Sequence, residues 1–84
     1  MLRIGAEAWR VITGHCLASA PEEACGILLG RQSGAERRVQ LAVACRNVHP
    51  GDRRKHFLID PEQQLAVQRE AREAGLEILG FYHS

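Results

Sequence analysis

Two periods of apolar spacing run through this chain, and they divide it into elements. Leu2-Arg3-Ile4 predicts a short strand or an extended lead-in. From just after Gly5 to about Ala20 the spacing is helical: Trp9, Ile12 and Cys16 share one face, and Val11, His15 and Ala18 share an adjacent one. Gly14 weakens that helix by about 1 kcal/mol relative to alanine, and Pro21 stops it. Glu23 to Leu29 predicts a strand. Both of its faces are small or apolar after the opening glutamate, as expected of a central strand covered on both sides. Gly30 is expected to end it, with Arg31-Gln32-Ser33-Gly34 as a turn.

Glu36 to Cys45 predicts the hairpin partner of that strand. Val39, Leu41 and Val43 alternate with Arg38, Gln40 and Ala42 in a half-buried pattern. Asn47 to Asp52 is loop, and Lys55 to Ile59 is a short strand with Phe57 and Ile59 on one side. Asp60-Pro61-Glu62-Gln63 is a helix start: Asp60 caps, Pro61 suits the first helical position, and Gln63 completes a capping box. Val67, Ala71 and Ala74 give a narrow apolar stripe, and Gly75 supplies the left-handed C-cap. Leu76 to Tyr82 is a last strand, read as central and delivering His83 at its end; strand parity groups His83 with Glu77, Leu79 and Phe81. Helices that alternate with strands, plus one hairpin, imply an α+β (α/β-like) fold: a mixed β-sheet flanked by two helices.

Composition narrows the function classes. Eighty-four residues with 45% hydrophobic and 25% charged side chains make one small globular domain, residues 1–84. A net charge of +1 and an aromatic share of 5% give no reason to expect nucleic acid or an anionic membrane as partner. The basic clusters Arg37-Arg38 and Arg53-Arg54-Lys55 are short and read as solvated charge. Three cysteines without a C-x-x-C pair argue against a disulfide scaffold and a zinc knuckle, and a cytoplasmic location is expected. Cys16 and Cys25 read as small buried hydrophobes rather than reactive thiols.

Two residues stand out chemically. Glu23 opens an otherwise apolar strand, where a carboxylate is costly unless paired or used. Taken by itself it reads as one of two adjacent glutamates at a solvated strand entrance. His83 closes an apolar strand, and a lone histidine there is more often a hydrogen-bonded rim residue than a ligand. One imidazole is not a metal site, because catalytic zinc takes three protein ligands. His15, His49 and His56 form no metal-binding spacing with it, and no nucleophile elbow, phosphate loop or dinucleotide fingerprint occurs.

Two blocks taken together resemble the JAMM (MPN+) zinc metalloprotease family, whose core is cytidine-deaminase-like. Pro21-Glu22-Glu23-Ala24-Cys25-Gly26-Ile27-Leu28-Leu29-Gly30 resembles the family's glutamate block, with Glu23 at the position of the catalytic glutamate. Gly75 to Ser84 resembles the run-up to its metal motif, where a strand ends in H-S-H-P; His83 matches the first zinc ligand and Ser84 the spacer. Asn47, Phe57 and Ile59-Asp60-Pro61-Glu62 fit as landmarks between the blocks, and the likeness is to short prokaryotic single-domain members. The second histidine, the aspartate ligand and the oxyanion serine have no counterpart, so the resemblance implies a domain incomplete at its C-terminus. It also implies a zinc-dependent peptidase or isopeptidase that cuts after the C-terminal tail of a ubiquitin-like or sulfur-carrier protein. The alternative is a metal-free, inactive binding or scaffold module. Tight zinc binding is not expected of residues 1–84 alone, and self-association is expected where the last strand exposes an edge.

Overall fold

A computed structural model describes all residues, 1–84. The elements run β1 (Leu2–Ile4), α1 (Ala6–Ser19), β2 (Cys25–Ser33), β3 (Glu36–Cys45), α2 (Pro61–Glu73) and β4 (Glu77–His83). The four strands form one sheet in the order β1-β3-β2-β4. β1 runs parallel to β3, while β2 is antiparallel to both β3 and β4, so the sheet is mixed as expected. The final strand, read as central from its apolar run, lies at the sheet edge; β2 and β3 are the interior strands. Neither helix is long and apolar enough to cross a membrane.

Strand β2 is covered on both faces. Ala24 to Gly30 are all buried. On one face Cys25, Ile27 and Leu29 pack with Cys45, Ile59 and the α2 residues Val67 and Ala71. On the other, Leu28 packs with Val39, Ala42, Tyr82 and the α1 residues Ala8 and Ile12. The sheet is thus sandwiched between the two helices, each contributing a narrow stripe. The stripe of α1 is rotated from its expected position. Ala8 and Ile12 are buried, with Cys16 packed beside them, whereas Trp9 is 55% exposed and presents its indole to solvent.

Two bulges correct the strand pattern. Leu29 pairs with Leu41 but Gly30 pairs with Val39, leaving Gln40 unpaired; Leu28 pairs with Gly80 but Leu29 with Ile78, leaving Leu79 unpaired. One extra residue moves every later side chain to the opposite face. Val39 and Ala42 therefore share the α1 face, while Val43 and Cys45 lie on the α2 face and Leu41 is half exposed. Leu79 packs with Tyr82 on the α1 side instead of sharing a face with Phe81 and His83.

Gly30 does not end β2 as expected. It is buried inside the strand at the bulge, where a Cβ would collide with the carbonyl group of Arg38. The strand continues to Ser33, and the turn lies at Gly34, which adopts φ +61°. Gly26 is required for a different reason: the Tyr82 ring lies where its Cβ would be.

The expected Lys55–Ile59 strand reduces to a single antiparallel bridge between Asn47 and Ile59. Helix α2 begins as expected, with the Asp60 carboxylate accepting from the Glu62 N–H at 3.0 Å. Gln63 does not close a capping box. It accepts from the Arg46 N–H at 2.8 Å and donates to the Ala44 carbonyl at 3.1 Å, tying the helix start to the end of β3. At the other end Gly75 is left-handed, φ +71°, and the Leu76 N–H reaches the Ala71 carbonyl at 2.8 Å. That is the 6→1 bond of a Schellman motif.

Three stability outcomes follow. Gly30→Ala lowers stability by about 1–3 kcal/mol through overpacking against backbone, whereas Gly14→Ala, with open space at its Cβ, raises it by about 1 kcal/mol. Urea denaturation of both variants tests this, and equal effects would contradict it. The hydrogen bond from Arg46, helped by the Glu62 N–H, holds the Asp60 carboxyl below the ordinary carboxylate range. A carboxylate whose folded pKa is lowered stabilises above its unfolded pKa of about 3.9, and loses that contribution as pH falls through the lower folded value. Urea midpoints measured on acidification are expected to fall less steeply in Asp60→Asn than in the parent.

Candidate catalytic site

The strand ladder brings the two sequence-predicted residues together. Cys25 pairs with His83 across β2 and β4, so Glu23, two residues before Cys25, arrives on the same face as the imidazole. Glu23 Oε1 lies 3.7 Å from His83 Nδ1. The Glu23 side chain is 18% exposed and that of His83 is 56% exposed. The solvated-entrance reading thus fits Glu22, which forms a surface ion pair with Arg53 at 2.8 Å, and not its neighbour.

Both residues are held from several sides. The Glu23 N–H donates to the Arg53 carbonyl at 2.7 Å, and the Glu23 carbonyl accepts from Asn47 Nδ2 at 3.1 Å. The His83 ring stacks on Phe57, with centroids 4.6 Å apart and an interplanar angle of 20°. Ser84 closes the ladder beyond His83. Its N–H donates to the Ala24 carbonyl at 3.2 Å, and its Oγ accepts from the Ala24 N–H at 2.9 Å. One residue earlier, the Tyr82 hydroxyl is 2.7 Å from His15 Nδ1, linking β4 to α1. Burial pushes the Tyr82 hydroxyl well above its ordinary range, so it stays protonated and available as a donor.

The cysteines behave as packing residues. Burial first, then Cys45 and Glu23, push the Cys25 thiol up to about 11. Burial likewise raises Cys45. A thiol held protonated is a poor nucleophile. All three cysteines are free, as the absence of paired spacing implied.

Sequence reasoning missed the support around the pair. Asn47 read as loop and Phe57 as a strand residue, and both as landmarks of the resembled family, but neither with a role beside Glu23 and His83. Their roles depend on the fold of residues 46–60 back toward β2, which no periodicity encodes. An Asn followed by turn residues was the one local hint.

Glu23 also lines an open depression of about 440 Å³ with Asn47, Arg46 and His15. A larger one, about 560 Å³, lies between Glu22 and the Pro50–Arg54 turn and touches neither Glu23 nor His83. What the pair can do alone is proton transfer: a half-buried carboxylate beside a partly exposed imidazole. It does not fit a catalytic zinc site by itself. Such a site takes three protein ligands, and no three His, Cys, Asp or Glu side chains converge anywhere in residues 1–84.

Comparison with known proteins supports the same reading of the fold. The chain is 32% identical over 87 residues to a protein of Haloferax volcanii named desampylase; the match covers 99% of this chain and 60% of that protein. Among solved structures, a protein of Desulfitobacterium hafniense determined in solution superposes with a TM-score of 0.87 at 30% identity, covering 99% of this chain and 56% of that one. The chain therefore spans somewhat over half the length of these relatives. The family model described as prokaryotic homologs of the JAB domain matches residues 5–84. With nearly every element of the sheet and both helices inside that match, this chain belongs to the prokaryotic JAB-domain family.

Proposed function

We propose that this chain carries part of the catalytic centre of a JAMM-type metallopeptidase, an isopeptidase that hydrolyses the amide bond after the C-terminal tail of a ubiquitin-like or sulfur-carrier protein. The observation that carries the reading is the placement of a half-buried Glu23 carboxylate 3.7 Å from a solvent-reaching His83. Membership of the JAB-domain family and likeness to a protein named desampylase support it.

In this reading Glu23 is the general base. Its carboxylate takes a proton from the attacking water at one Oε and returns it to the departing amine, so the residue ends the cycle as it began. The two backbone hydrogen bonds at Glu23 fix the point from which the carboxylate swings. His83 would be one ligand of the zinc ion that the family implies, and residues 1–84 bring no second and third ligand to it.

A second reading is favoured by the shortage of metal donors: a metal-free binding module on the same fold. Metal analysis of residues 1–84 tests what the two readings share, that these residues hold no zinc site by themselves. After dialysis against zinc-buffered solution, this polypeptide is expected to retain well under one zinc per chain. A firm one-to-one complex lost in His83→Ala would overturn that shared expectation.

Catalysis is tested in protein that cleaves a fluorogenic amide at the tail of a ubiquitin-like protein. There Glu23→Gln is expected to lower kcat by about 10²–10⁴-fold, with KM nearly unchanged. Activity within a few-fold of the parent would remove Glu23 from this role.

A further inference from the structure

We propose that Asn47 is a positioning residue that sets both halves of the candidate site through one side-chain amide. The proposal rests on the reading of Glu23 and His83 as the functional pair. The Asn47 amide makes four hydrogen bonds, each at 3.1 Å. Nδ2 donates to the carbonyls of Glu23 and His56. Oδ1 accepts from the N–H groups of His49 and Leu58. A primary amide has two N–H donors and two acceptor sites, so this one is fully used. Its orientation is dictated as well. Turned over, it would point N–H groups at N–H groups and oxygen at two carbonyls.

The choice of partners is what makes this a positioning device. One donor holds the main chain of Glu23 itself. The other donor and one acceptor hold His56 and Leu58, the residues on either side of Phe57. Phe57 is the ring stacked on His83. A single amide thus fixes the backbone under the carboxylate and the backbone under the platform for the imidazole. Loops that lack regular pairing otherwise hold such atoms loosely. The 46–60 stretch has only one isolated bridge, at Asn47–Ile59.

Asparagine is the residue type that does this. Aspartate keeps the two acceptor contacts but loses both donors and aims negative charge at the Glu23 and His56 carbonyls. Glutamine is one methylene longer and cannot bond all four groups from the same Cα. Alanine leaves the groups without partners, which is costly where they are shielded from water.

The experiment is solution NMR of residues 1–84, reading the His83 ring protons. Stacking on Phe57 shifts them upfield, and Phe57→Leu gives the unstacked reference position. Asn47→Asp is expected to move these resonances at least half-way to that reference, while the β2–β3 hairpin amides from Leu29 to Glu36 keep their shifts. A purely structural role would lower stability yet leave the His83 shift of the folded population in place. Unmoved His83 resonances in folded Asn47→Asp would therefore overturn the proposal.

If Asn47→Asp does not fold, the parent protein still decides. The His49 and Leu58 amides, which have only Asn47 Oδ1 to protect them in the loop, are expected to exchange slowly with solvent. Fast exchange at both would overturn the proposal equally. Loss of the catalytic reading would show differently, as retained cleavage in Glu23→Gln, and would leave the ring shifts as they are.

Discussion

Burial of β2 on both faces is the constraint from which the rest follows. A strand enclosed by two helices can carry only small or apolar side chains, and Ala24 to Gly30 obey this without exception. A polar group can then sit only where the cover ends. At the N-terminal end of the enclosed segment that position is Glu23, which keeps a fraction of its carboxylate surface in water. The two interior glycines serve the same enclosure. Gly26 makes room for the Tyr82 ring, and Gly30 lets the β3 backbone approach at Arg38. A rigid central strand is also a firm base for a group whose position must be held closely.

Pairing extends that order to the edge. β4 has one neighbour in the sheet, β2, and its last pair sets His83 against Cys25. Ser84 ties the strand end to Ala24 through both its backbone N–H and its hydroxyl. Tyr82, on the opposite face, is buried and bonded to His15 of α1. The imidazole is therefore flanked by residues anchored to the sheet and, through Tyr82, to a helix. Its free side meets Glu23 and its ring meets Phe57. Support from two directions explains how a side chain more than half exposed is nonetheless placed.

The loop from Arg46 to Asp60 plays the part that a further strand would otherwise play. Arg46 pairs with Asp60, and Gln63 bonds back to Arg46 and Ala44, so its two ends are closed together. Within it, Asn47 supplies hydrogen bonds that a ladder would have supplied. Polar side chains here substitute for regular backbone pairing, and this makes the loop sensitive to individual residues in a way that a strand is not.

Much of this was legible from the residues alone. The helix start at Asp60-Pro61 and the stop at Gly75 depend on neighbours within one turn, so local chemistry sufficed. The enclosed nature of β2 showed in its composition, because burial on both faces leaves no polar position. The family's glutamate and histidine blocks were readable as motifs. Tertiary structure alone decided which strand faces which helix. The bulges at Gln40 and Leu79 invert parity at residues that do not mark it themselves; Gly30 faces the first and Gly80 adjoins the second, but which residue is the extra one is defined only by a partner strand. Trp9 lies outside because α1 meets the sheet through Ala8, Ile12 and Cys16. The meeting of Glu23 with His83, sixty residues apart, and the four bonds of Asn47 are products of register and loop closure. Sequence sets what each residue can do with its neighbours in the chain; contacts across the chain depend on how the whole sheet is aligned.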